Sequence, residues 1–207
     1  MALELSTHGL GKSFNRRLVF RNVDTLVGEG ETLLITGRNG AGKSTLVKIL
    51  CGVLSPGQGR VVVDGAGKLD EFSRRALFGL VAPYLQVYDE FSAMENMLLA
   101  ASLRGERGDR AAYAQLLARV VLEPKRSDPV HGFSSGMKQR LKYALALAHQ
   151  PRILILDEPM ANLDAEGTAI VRTIMREQRS RGILVVATND PADIDIHERK
   201  VDLNERS

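Results

Sequence analysis

The stretch from Thr32 to Gly52 constrains the fold more than any other part of the chain. Residues 32–36 read T-L-L-I-T, a short apolar run of the kind that lies buried on both faces of a parallel sheet. It runs straight into Gly37-Arg38-Asn39-Gly40-Ala41-Gly42-Lys43-Ser44, a G-x-x-x-x-G-K-S loop. Thr45 and an apolar helical stretch follow, with a glycine stop at Gly52. A strand of this form, followed by a glycine loop and a helix, argues for a parallel sheet with helices packed on it. The loop also carries a chemistry. Its glycines let the backbone curl until several N–H groups face inward, an anion-binding nest at a helix N-terminus. Lys43 supplies a point charge suited to the β- and γ-phosphates of a nucleotide, and the Ser44 hydroxyl suits Mg2+.

The rest of the chain supports that architecture. Residues 3–7 and 19–26 read as strands, with a G-x-G turn expected between them at Gly9–Gly11. A turn over 55–59 leads to a further strand at 61–63. From about Tyr84 to Gln150 the pattern is helical. Ser92-Ala-Met-Glu95 is a capping box opening a helix that fades at Arg104-Gly105. Asp109 caps a second helix that runs to about Leu122 and ends at Pro124. A third starts at Ser134 or Ser135 and runs to His149. Buried strands return at 153–156 and 183–188, with a helix over 164–181 between them. This predicts an α/β fold in one domain, 1–207. Its parallel-sheet core takes residues 1–83 and 151–207, with an inserted α-helical lobe over about 84–150 and an N-terminal antiparallel β region.

Composition narrows the partners. A chain of 207 residues, 44% hydrophobic, can bury a full core. Its net charge of +3 is small, and no Lys/Arg run exceeds two residues, so no nucleic acid partner is expected. No stretch reaches the roughly 18 uncharged apolar residues of a membrane span, and the first residues carry no signal-peptide pattern. The single cysteine, Cys51, lies in an apolar helical stretch and reads as an inert packed thiol of a reducing cytosol. His8, His131, His149 and His197 are scattered without metal-binding spacing.

Two further motifs sharpen the chemistry. Ile153-Leu-Ile-Leu-Asp157-Glu158-Pro159 ends a buried strand in two carboxylates, at the carboxyl edge where ligands sit in open α/β sheets. Asp157 is placed to hold Mg2+, and Glu158 to polarise an attacking water as general base. Upstream, Phe133-Ser134-Ser135-Gly136-Met137-Lys138-Gln139-Arg140 opens an alanine- and leucine-rich helix with hydroxyls, free N–H groups and a positive helix end, all suited to a γ-phosphate.

Phosphate loop, Ser-Ser-Gly helix start and acidic strand, in that order over almost the whole chain, resemble the ATP-binding cassette (ABC) ATPases, a branch of the P-loop NTPases. The family's signature is usually written L-S-G-G-Q. Here Phe133 stands for the leucine, Ser135 for the first glycine and Met137 for the glutamine, while Ser134 and Gly136 keep their places. The resemblance implies ATP and Mg2+ as cofactors, held by Gly37 to Thr45 with Asp157 and Glu158. Ser134, Ser135 and Gly136 would be supplied by a second copy, or by a related ATPase subunit. It also implies that Phe14 stacks on adenine, and that Ala161-Asn162-Leu163-Asp164 is a D-loop along the dimer seam. The expected load is an integral-membrane transporter subunit docking near Pro83 to Phe91, which places the chain in the cytoplasm, peripheral on the inner face of the cell membrane. Length and general likeness resemble the haem-exporter-like ATPases of cytochrome c maturation.

Two positions depart from the pattern. Asn189 takes the place of a histidine that contacts the γ-phosphate, and asparagine carries no charge and transfers no proton. The glutamine at the junction into the lobe falls on Pro83; Gln86, three residues on, is the candidate to reach the Mg2+ site instead. Two other readings fit the same residues. One is a soluble ABC ATPase of the iron–sulfur-assembly type. The other is a nucleotide-gated clamp that hydrolyses slowly because of Asn189.

Overall fold

The sheet that carries the site is parallel and buried on both faces. In the computed structural model, which describes residues 2–65, 67, 70–122, 128–190 and 197–205, the elements run β1 (Glu4–Phe14), β2 (Arg17–Gly28), β3 (Thr32–Thr36), α1 (Lys43–Leu50), β4 (Gln58–Asp64), α2 (Glu71–Ala76), β5 (Phe78–Val81), α3 (Ala93–Leu103), α4 (Arg110–Arg119), α5 (Ser135–Leu147), β6 (Ile153–Asp157), α6 (Ala165–Arg179), β7 (Ile183–Thr188) and β8 (Arg199–Asp202). The parallel sheet has the order β5-β6-β7-β3-β8. Its period-two alternation sorts side chains into two cores. Leu33, Ile35, Ile155 and Val185 pack with Leu46, Val47 and Leu50 of α1 and with Leu5 and Phe20 of the N-terminal strands. Leu34, Leu156 and Val186 face Val171 and Ile174 of α6, and that core continues through Met97, Leu117 and Leu141 of α3, α4 and α5. Register does the rest: Thr36 pairs with Thr188, and Asp157 with Ala187. The carboxyl ends of β3, β7 and β6 are therefore level, so the phosphate loop, Asn189 and Glu158 share one edge.

The second sheet is antiparallel, of order β2-β1-β4. The G-x-G at Gly9–Gly11 is not the expected turn. β1 runs on through it with register shifts between Thr7 and Leu10 and between Leu10 and Lys12, and Gly9 takes φ +56°. A left-handed glycine inserts a bulge as readily as it makes a turn, and here the ladder resumes beyond it. The chain reverses instead at Asn15 and Arg16 (φ 48° and 64°), between the paired Phe14 and Arg17, the two-residue hairpin that strand twist favours.

The capping box forms as expected: the Ser92 hydroxyl accepts from Glu95 N–H, and the Glu95 carboxylate accepts from Ser92 N–H at 2.8 Å. The Asp109-capped helix α4 stops at Arg119 rather than near Leu122, because Val121 turns left-handed (φ 54°) and Leu122 N–H donates back to the Leu117 carbonyl. Pro124 lies outside the described residues. Helix α2 and strands β5 and β8 add to the elements expected from the sequence.

Candidate functional site

The phosphate loop is shaped by packing as much as by its own glycines. Gly42 is the N-cap of α1 with φ 99°, and a Cβ there would meet Val19 Cγ1 at 2.5 Å. No side chain caps α1, so its first-turn N–H groups are left for an anion. The Arg38 N–H donates to Asn204 Oδ1 at 3.1 Å, tying the loop to the strand edge. Lys43 is 6% exposed; its ammonium donates to the Gly37 carbonyl at 2.8 Å and lies 3.3 Å from Glu158 Oε1. Arg38, Asn39, Gly40, Ala41, Gly42, Lys43, Ser44, Thr45, Phe14 and Glu158 all line one cavity of about 860 Å³. Gly37 sits behind it as the acceptor of Lys43. Phe14 is 47% exposed at the mouth, with the Lys12 ammonium 5.1 Å from its ring centre. Arg17, Leu18 and Val19 complete the wall on that side, residues the sequence did not single out.

Asp157 and Glu158 differ sharply although adjacent. Asp157 is 1% exposed, and among the described residues only the Ser44 hydroxyl comes near its oxygens, without good hydrogen-bond geometry. Burial pushes its pKa up; the Ser44 hydroxyl opposes the shift, the Glu158 charge adds to it, and Lys43 and Lys48 oppose it without reversing it. A buried carboxylate with two unpaired oxygens beside a serine hydroxyl is a donor set that fits a hard divalent cation such as Mg2+. Glu158 has a left-handed backbone, φ 49°, at a cost of about 1–2 kcal/mol. Its N–H donates to the Ala187 carbonyl at 2.8 Å and its carbonyl accepts from Ala161 N–H, which hold that conformation. The carboxylate thereby turns into the cavity, toward Lys43, with Thr188 Oγ1 and Asn189 N–H each 3.5 Å from Oε2. The Asn189 side chain reaches Asn39 Oδ1 of the phosphate loop at 3.4 Å.

The Ser-Ser-Gly segment is elsewhere. Ser134, Ser135 and Gly136 do not line the phosphate cavity. Ser134 is the N-cap of α5, its oxygen accepting from Met137 N–H at 3.2 Å while its own proton remains available to donate. Gly136 lies against the Asn162 carbonyl, which an added Cβ would meet at 3.0 Å, so the segment and the 161–164 loop form one patch. Helix α5 also grips the acidic turn, since the buried Tyr143 hydroxyl donates to the Pro159 carbonyl at 2.9 Å.

The structure does not bring Gln86 to this site. After β5 the chain turns, with Leu85 N–H donating to the Ala82 carbonyl, and Gln86 faces a separate groove of about 270 Å³ with Leu80, Tyr88, Asn96, Leu103 and His149. Two residues earlier, the Tyr84 ring lies against Lys48 of α1, and its hydroxyl is buried without a partner among the described residues. Its only mark in the sequence is that it directly follows Pro83.

Comparison with known proteins agrees with this geometry. The family described as "ABC transporter" matches residues 20–161. The lipoprotein-releasing system ATP-binding protein LolD of Syntrophotalea carbinolica is 37% identical over 205 residues, covering 91% of this chain and 89% of that protein. The lantibiotic transport ATP-binding protein SrtF of Streptococcus pyogenes is 35% identical over 187 residues, covering 89% and 79%. A solved structure described as the ATP-binding subunit of an ABC transporter superposes with a TM-score of 0.80 at 28% identity, covering 95% of this chain and 87% of that one. The chain belongs to the ABC transporter family and is an ATP-binding ATPase of that family.

Proposed function

We propose that the chain powers a separate membrane subunit through ATP-driven closure of a dimer, and that the cavity lined by Arg38 to Thr45 and Glu158, with Gly37 and the buried Asp157 beside it, is half of each catalytic site. The observation that carries this reading is the separation of the parts. The cavity is open and lacks Ser134 to Gly136, while those residues form one patch with the 161–164 loop. A second copy, turned head to tail, would bring Ser134 and the N-terminus of α5 to the γ-phosphate of the first. Closure then depends on the γ-phosphate, and its hydrolysis releases the pair.

Within each site Phe14 is the platform for adenine, and the loop N–H groups with Lys43 hold the β- and γ-phosphates. Ser44 and Asp157 are the residues to hold Mg2+, which when bound neutralises phosphate charge. Glu158 is the general base, released from Lys43 when the phosphates take the ammonium over. Asn189 positions rather than transfers a proton. The membrane subunit docks in the groove beside Gln86, where Tyr88 and Leu103 are exposed. Among the described residues no helix is long and apolar enough to cross a membrane. The chain then sits peripherally on the cytoplasmic face. The haem-exporter likeness rests on length and general resemblance. The Lys43–Glu158 contact and Asn189 favour a second reading, the slow clamp.

The test is steady-state Mg-ATP hydrolysis across protein concentration, wild type beside Glu158→Gln. Activity rising faster than linearly with concentration, and lost in the variant, supports a dimer with Glu158 as base. Activity strictly proportional to concentration, or retained by Glu158→Gln, refutes it.

A further inference from the structure

We infer that Tyr84 is a positioning residue of the Mg-ATP site, its hydroxyl donating a hydrogen bond to the oxygens that gather beside Asp157 when nucleotide binds. The inference rests on the reading of that cavity given above.

Three observations converge on Tyr84. Its hydroxyl oxygen is buried and has no partner, which native proteins rarely leave so without use. Its ring is pinned to α1, the helix that opens at the phosphate loop, with the Lys48 ammonium 4.0 Å from the ring centre. Lys48 is one helical turn beyond Ser44 on the same face of α1, so the ring lies on the side of the helix that carries Ser44, and the Asp157 charge, after burial, is felt at the Tyr84 hydroxyl. The phenol O–H is available as a donor. Two neighbouring buried groups therefore lack partners in a complementary way, one needing an acceptor and the other needing donors or a cation. Oxygen atoms bound between them, from water or phosphate, would satisfy both.

Tyr84 also has a geometry that Gln86 lacks. Pro83 and the 82–85 turn send Tyr84 toward α1, while Gln86 faces the groove two residues further on. The Lys142 ammonium of α5 lies 3.3 Å from the Pro83 carbonyl and 3.5 Å from that of Ala82, so the start of the segment is held by the Ser-Ser-Gly helix. A rearrangement of the groove wall is thus two residues from the hydroxyl.

The test is Tyr84→Phe, which removes one oxygen and keeps the ring. With ATP in EDTA its affinity should match wild type, and with Mg-ATP it should be about fivefold weaker, the effect of one hydrogen bond. Without nucleotide the variant should melt no lower than wild type, since only an unsatisfied group has been lost. The chain has four tyrosines and no tryptophan, so tyrosine absorbance gives an independent readout. Mg-ATP should shift the red edge of the tyrosine band in wild type, and that shift should be missing in the variant. Equal weakening with and without Mg2+, or no weakening and an unchanged spectral shift, overturns the assignment. If wild type itself binds ATP no tighter with Mg2+ than in EDTA, the cavity reading fails and takes this inference with it.

Discussion

Asp157→Asn should make the empty protein more stable and Mg-ATP less able to stabilise it. The carboxylate is 1% exposed and unpaired at both oxygens, and its pKa is raised on folding. A raised pKa means that the fold favours the neutral form, so near neutral pH the ionised group opposes folding. Leaving a buried charged group unsatisfied costs about 1–3 kcal/mol or more; the Ser44 hydroxyl, Lys43 and Lys48 recover part of it, leaving about 1–2 kcal/mol for the isosteric amide to remove. For a chain of this length that is about 2–8 °C in Tm. The opposite holds with ligand. Nucleotide at about 100 times its Kd adds about 2.7 kcal/mol to wild type, or about 5–11 °C. In the variant, adding Mg2+ to ATP should contribute nothing beyond ATP alone. Differential scanning calorimetry in EDTA, in ATP with EDTA and in Mg-ATP reads all three states. A variant that melts below wild type in EDTA would mean that Asp157 already has effective partners in the empty protein, and the argument for a cation beside it would fail.

His149 should give stability an acid limb. Its Nε2 is 3.0 Å from the Phe78 carbonyl, its Nδ1 is buried without a partner, and burial lowers its pKa. A lowered pKa gives stability that is complete above about pH 6.5 and lost as pH falls through the folded value. Urea midpoints followed downward from neutral pH should fall faster for wild type than for His149→Gln, and parallel curves would refute the assignment. Asn189→His should raise Mg-ATP turnover several-fold if the asparagine is what makes the chain slow, because a ring placed beside Glu158 and Asn39 can carry charge to the γ-phosphate. Unchanged turnover in a steady-state assay would count against the clamp.

What the sequence disclosed and what it hid divide along a physical line. The phosphate loop, the capping box at Ser92 and the buried strands could be read because each depends on its own few residues: glycine freedom, a hydroxyl three residues before a carboxylate, unbroken apolar runs. The Gly9–Gly11 bulge could not be told from a turn, since φ +56° at Gly9 serves either, and only the pairing with β4, where His8 meets Arg60 and Gly11 meets Gln58, decides between them. The end of α4 was hidden because Val121, a residue that resists left-handed backbone, adopts it where glycine would have announced it. Gln86 was misplaced for a related reason. Its residue type matched the family's need, but direction is set by the 82–85 turn, and chemistry without direction does not make a ligand. Glu158 is the reverse case. Its identity was legible, but its strained backbone was not, and that strain separates it from Asp157. Two carboxylates in sequence would point to opposite faces of a regular strand. The left-handed step at Glu158 ends the strand and turns its side chain to the same cavity edge as Lys43. The placing of the Glu158 carboxylate beside Asp157 therefore depends on a backbone conformation held by the Ala187 carbonyl and, through Pro159, by the Tyr143 hydroxyl of the helix that Ser134 caps.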